Sequence, residues 1–145
     1  MATEEQSRRG PLTIRAFDPL TQTEIDVHVR HERLLAVSRR SKGQLLEAAE
    51  LVPQTLQCRG PVFEGLRQEP DEDPAPRGVG WRCYCSVPDR SYSAEGDRRR
   101  PRSGQVFLVF VNADRVVYNW YWEKADPDNP GLPIDHQGRF HRRLA

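Results

Sequence analysis

The stretch from Val106 to Trp122, VFLVFVNADRVVYNWYW, is the most apolar and aromatic run of the chain. Two readings compete for it: a surface on which nucleobases stack, or the middle of a core. Asn112-Ala113-Asp114-Arg115 is built of turn formers, so Val106 to Val111 reads as a strand and Val116 to Glu123 as the strand returning beside it. With Asn112 opposite Arg115, Val111 faces Val116, Val109 faces Tyr118 and Phe107 faces Trp120 on one side of the sheet. On the other side Phe110 faces Val117, Leu108 faces Asn119 and Val106 faces Tyr121. Both faces of the first strand are then apolar, as in the centre of a sheet covered on both sides. A stacking platform would alternate aromatic with polar or basic residues. Phe107, Val109, Tyr118 and Trp120 are therefore expected in the core, and only Tyr121, Trp122 and Lys124 near a surface.

Composition bounds what this sheet can belong to. A chain of 145 residues suffices for one domain with one real core. Hydrophobic residues make up 37% and charged residues 30%, with a mean hydropathy of −0.77, which describes a soluble protein with a large solvated fraction. The formal net charge is +1. Nucleic-acid binders draw most of their affinity from phosphate neutralisation, so such a role here requires a local basic patch. No apolar run approaches a membrane span, and the start of the chain lacks the apolar segment of a signal peptide. Three cysteines make no disulfide framework. The expected setting is reducing and cytoplasmic, with no membrane, no cofactor and no metal.

Outward from the quoted stretch, Leu12 to Phe17 and Glu24 to Val29 alternate apolar and polar residues around a turn-rich link and read as a hairpin. His31 to Arg40 admits a short helix or a continued strand. Ser41-Lys42-Gly43-Gln44 has capping-box spacing, and Leu45, Ala48, Ala49 and Val52 form an apolar stripe, so a helix is predicted from Lys42 to Val52. Pro53 is expected to end it, leaving Thr55 to Cys58 and Pro61 to Leu66 extended. Trp81 to Val87 alternates as a strand. Residues 67–79 and 88–104 read as long polar loops, 1–10 as a disordered N-terminus, and 125–133 as a proline-pinned loop. Asp135 is placed to cap a last helix through Leu144, with Phe140 inward and Arg139, Arg142 and Arg143 outward. The fold class is α+β: one domain, 11–145, with an N-terminal hairpin and one or two helices packed on a mainly antiparallel β-sheet.

Candidate chemistry gathers in His28-Val29-Arg30-His31-Glu32-Arg33. A histidine can move a proton near neutral pH, and a guanidinium can stabilise a developing phosphorane charge. The same residues equally suit a polar strand end feeding a helix. Arg98, Arg99, Arg100 and Arg102 form the one concentrated basic run, able to grip phosphates or an acidic partner. The acidic run Glu69 to Asp73 could fold over it. Cys83 and Cys85 share a strand face with one intervening residue, too few for ordinary zinc spacing, so they read as small buried hydrophobes. No nucleotide loop, Ser-His-Asp order or HExxH motif is present.

His31-Glu32-Arg33-Leu34, Arg40-Ser41, the capped helix with Leu51-Val52-Pro53, and the strands that follow resemble the small ribonuclease superfamily of RelE-like toxins and barnase-like nucleases. The resemblance covers about His31 to Trp122. It implies metal-independent RNA cleavage with His31, Arg33 and Arg82 in catalytic roles, and a neighbouring antitoxin. The near-neutral charge and long loops depart from that pattern. The expected function is a toxin-like domain that cleaves or binds RNA. His31 would transfer the proton, Arg33 would contact the phosphate or the transition state, and the Arg98 to Arg102 loop would grip RNA. The alternative is a non-enzymatic protein-interaction module that meets a cognate partner through Tyr121, Trp122, Lys124 and the charged loops.

Overall fold

A computed structural model describes residues 12–66, 81–88, 90–92, 99–101 and 104–145. The predicted hairpin is β1 (Leu12–Asp18) and β2 (Thr23–Val29), paired antiparallel. Two helices follow, α1 (His31–Arg40) and α2 (Lys42–Gln57). Strands β3 (Val62–Leu66), β4 (Arg82–Ser86), β7 (Gln105–Val111), β8 (Val117–Asp126), β9 (Asn129–Pro133) and β10 (Phe140–Arg143) build one antiparallel sheet in the order β10-β3-β4-β7-β8-β9. The small hairpin β5 (Arg90–Tyr92) and β6 (Arg99–Pro101) lies within the expected second loop. The first loop and residues 1–10 fall outside the described residues. The architecture is α+β, a curled antiparallel sheet with helices packed on it.

β7 is apolar on both faces because both are covered. Phe107, Val109 and Val111 face a core shared with the hairpin, with Val37 of α1 and with Ala48, Leu51, Val52 and Leu56 of α2. Val106, Leu108 and Phe110 face the inside of the curl, beside Phe63, Cys83, Cys85, Leu132 and Phe140. Cys83 and Cys85 are buried as expected; burial pushes the Cys83 thiol well up, and nearby Cys85 adds to the effect. The hairpin is joined to the sheet by a parallel bridge, His28 donating its amide to the Arg115 carbonyl at 2.8 Å.

The β7–β8 register differs from the expected one by two residues. Val109 pairs with Trp120 and Phe107 with Trp122, with a bulge where Phe110 pairs Asn119 and Val111 pairs Val117. The Asn112 carboxamide sets the turn by accepting from the amides of Asp114 and Val116, and Arg115 adopts a left-handed φ of 61°. The consequence reverses two assignments. Tyr118, expected in the core, is 48% exposed. Trp122, expected at the surface, packs edge-on to Phe107 at 5.2 Å and donates to buried Glu47.

Three further expectations are corrected. α2 runs through Pro53 to Gln57, and Thr55 and Leu56 are buried helical residues rather than an extended segment. Ser41 accepts from the Gln44 amide as the cap spacing predicts. Interior proline removes one bond, to the carbonyl of Ala49, which is exposed and can be hydrated. Burying Thr55 and Leu56 outweighs that loss. Residues 129–133 form edge strand β9, where proline is tolerated because the outer amides have no ladder partner. The last helix is only the turn α3 (His136–Arg139); Phe140–Arg143 turn extended to satisfy the open edge of β3.

The link through α3 therefore connects the sheet's two outermost strands. Phe140 is buried as expected and stacks on Phe63 at 4.5 Å. Arg139, expected outward, turns into the curl over Phe110 and Phe140 and donates to Glu123 and to the Tyr121 hydroxyl.

Candidate functional site

Residues four and seven apart lie on one face of a helix. Arg33, Val37 and Arg40 therefore make a single stripe down α1, and Gln44, in the first turn of α2, continues it. Facing that stripe, β8 supplies Asn119, Trp120 and Tyr121. Together they line an open pocket of about 220 Å³. Among the described residues no carboxylate lines it.

Arg33 is the centre of the pocket. Its Nη2 donates to Asn119 Oδ1 at 2.6 Å, and its guanidinium lies 5.4 Å from the centre of the Trp120 ring. The ring fixes the flat cation from one side. Its Nε is buried with no hydrogen-bond partner among the described residues. Burial first, and the neighbouring Arg40 second, hold the Arg33 pKa below the usual guanidinium value, with Tyr118 opposing them. A buried donor left unmade costs about 1–3 kcal/mol. An anion entering here would meet an oriented cation and a second arginine two turns away.

The other expected site residues are dispersed. His31 opens α1 but lies two residues from Arg33, a spacing that points side chains to nearly opposite sides of a helix; it does not line the pocket. Arg82 is on β4 and pairs with Asp18 at 2.8 Å, both nearly buried. Burial raises the Asp18 pKa, but the Leu20 amide and Arg82 outweigh it and hold the carboxyl below its ordinary range. Arg99 and Arg100 are on β6, opposite Tyr92 and Ser91. Arg98 and Arg102 lie outside the described residues. Lys124 is exposed, pairs with Gln105 and gives its carbonyl to the Ile134 amide. Tyr121 edges the pocket while its hydroxyl accepts from Arg139.

A second polar cluster lines the curl beside the α3 link. Arg139 bonds Glu123 and Tyr121, and His136 Nε2 sits 3.0 Å from Asp126 Oδ2. Its charges are mutually compensated, so it reads as a clasp on the link. Among the described residues no group of three His, Cys, Asp or Glu is placed to hold a metal ion. No described helix is long and apolar enough to cross a membrane.

Arg40, Gln44, Asn119 and Trp120 were not singled out from the sequence as site residues. The helical spacing of Arg33, Val37 and Arg40 was the available signal. Asn119 could not be added, because the strand register sets its position. Compared with protein-family models, curated proteins and solved structures, the chain finds no significant match.

Proposed function

We propose that this protein is an RNA-binding domain that seats a backbone phosphate between Arg33 and Arg40. The observation that carries the reading is the half-buried Arg33 guanidinium, held by Asn119 and Trp120, with no carboxylate among the described residues that line its pocket. Structural arginines of this chain are charge-compensated instead: Arg82 by Asp18 and Arg139 by Glu123. A phosphate diester supplies the missing charge and accepts from both arginines. The three cysteines are unpaired, in keeping with a reducing, cytoplasmic setting.

Binding is favoured over cleavage because His31 lies off the pocket and Arg82 is occupied by Asp18. The protein-partner alternative loses support from Trp122 and Tyr121, whose polar atoms are engaged with Glu47 and Arg139. The test is fluorescence anisotropy with a labelled RNA across a salt series. Arg33→Ala and Arg40→Ala should each weaken binding about tenfold and lower the salt slope by about one. Unchanged affinity in both variants would remove the phosphate pocket from the account. Incubation with RNA in EDTA beside His31→Ala should give no cleavage. Cleavage that disappears in the variant would replace the binding reading with a metal-independent endoribonuclease.

A further inference from the structure

We infer that Gln44 reads the ribose 2′-hydroxyl beside the bound phosphate, so that this site takes RNA in preference to DNA. The inference rests on the phosphate-pocket reading and adds to it the residue that selects the sugar. The spacing of Ser41 and Gln44 predicts a capping box, in which the glutamine carboxamide reaches back to the Ser41 amide. Only half of that box forms. The Ser41 hydroxyl accepts from the Gln44 amide at 3.2 Å, but the Ser41 amide donates to the Val37 carbonyl at 2.9 Å. The Gln44 side chain is thereby released from capping. It is exposed, lines the pocket and makes no hydrogen bond among the described residues.

The other polar side chains of the pocket present donors. Asn119 Oδ1 accepts from Arg33 Nη2 at 2.6 Å and from the Trp120 amide at 2.9 Å. Both partners are N–H groups, so the carboxamide is held with its oxygen engaged and only its Nδ2 left to offer. Arg33 and Arg40 carry donors and no acceptor. The Tyr121 hydroxyl is engaged by Arg139. Among the described residues lining the pocket, Gln44 Oε1 is therefore the side-chain acceptor left for a ligand. A phosphate diester needs donors alone, so this acceptor answers to a ligand group that donates. The sugar-phosphate backbone of RNA carries one such group on each nucleotide, the 2′-hydroxyl, and that of DNA carries none. The pocket has room for the sugar: its volume of about 220 Å³ equals about seven waters at ~30 Å³ each, more than a phosphate group alone fills.

The experiment titrates four labelled probes with the full chain: a uridine decamer, a 2′-deoxyuridine decamer, a 2′-fluorouridine decamer and a polyglutamate peptide. The fluoro strand keeps the sugar shape of RNA and lacks the hydroxyl donor. The parent protein should bind the uridine strand about fivefold more tightly than either other strand, the scale of one hydrogen bond. Gln44→Met, which keeps the length of the side chain and removes its amide, should bring that ratio to about one. Arg33→Ala should weaken all three strands together. Circular dichroism confirms that each variant is folded. If the parent does not distinguish uridine from deoxyuridine, or if Gln44→Met keeps the preference, sugar reading is refuted, and the loss in Arg33→Ala lets the phosphate pocket stand. A fluoro strand bound like the uridine strand would refute it too, because sugar shape would then be what is read. If Arg33→Ala binds normally, or no strand binds the parent, the pocket reading falls and the role of Gln44 with it. Polyglutamate binding as tightly as RNA with the same Arg33 dependence would overturn the inference in favour of an acidic protein partner.

Discussion

Replacing Arg139 by Met tests whether the clasp holds the curled sheet closed. Met keeps an unbranched apolar stem between Phe110 and Phe140 and removes the charge. Two charge-assisted hydrogen bonds disappear, to Glu123 and to the Tyr121 hydroxyl. Such bonds contribute about 1.5–3 kcal/mol each when dry. The Arg139 and Glu123 side chains are 20% and 24% exposed, so water recovers part of that loss. Removing the desolvation cost of the guanidinium offsets a further part. The net expectation is about 2 kcal/mol, which is a large share of the roughly 5–15 kcal/mol available to a domain. With a urea m-value of about 2 kcal/mol/M, the midpoint should fall by about 1 M in a tryptophan-fluorescence unfolding curve. Arg15→Met is the control: its pairs with Glu24 and Asp26 are more than half exposed, and it should shift stability by about 0.5 kcal/mol or less. A double cycle with Glu123→Gln should show coupling of about 1 kcal/mol or more. An Arg139→Met midpoint indistinguishable from that of Arg15→Met would refute the clasp.

Asp18→Asn removes the charge facing Arg82 inside the fold and should cost about 3 kcal/mol by denaturant titration. The Asp18 pKa is depressed in the folded state, so its stabilisation is present above the ordinary carboxyl range and is lost as pH falls through the lower folded value. The difference between parent and variant should therefore shrink in acid. Burial pushes the Tyr121 phenol up to about 12. Between its ordinary value near 10 and that value the unfolded chain has lost a proton the folded chain keeps, so stability falls with rising pH. Tyr121→Phe should lose less stability than the parent across that window. Gly60→Ala should destabilise by about 1–3 kcal/mol, because its Cβ would stand 2.7 Å from the Cys85 carbonyl oxygen; an unchanged thermal midpoint would contradict that packing.

The sheet was legible in the chain because β7 carries its evidence in a short window: apolar residues on both faces and a turn immediately after them. The hairpin and the Ser41 cap were legible for the same local reason. What failed depended on distant partners. Pro53 is a local stop signal, overridden by the burial of Thr55 and Leu56 against the sheet. Phe140 to Arg143 has no intrinsic preference strong enough to resist the open edge of β3. The two-residue register change came half from the turn, which pairs Val111 with Val117 rather than Val116, and half from the bulge beyond it; alternation alone encodes neither, and together they exchanged the environments of Tyr118 and Trp122. The site fared similarly. Arg33 stood out by type, whereas its position beside Arg40 and against Trp120 required the helix and strand to be docked.

The α3 link also fixes an order of events. β10 pairs with β3, whereas β9, just before it in the chain, lies at the opposite edge beside β8. During synthesis β3, β4, β7 and β8 can pair as they emerge, but β3 keeps a bare edge until residue 143 has left the ribosome. For that interval the nascent chain presents a row of unpaired amides and carbonyls to any strand nearby. Only when the last strand swings across does the growing sheet stop being a template for its neighbours.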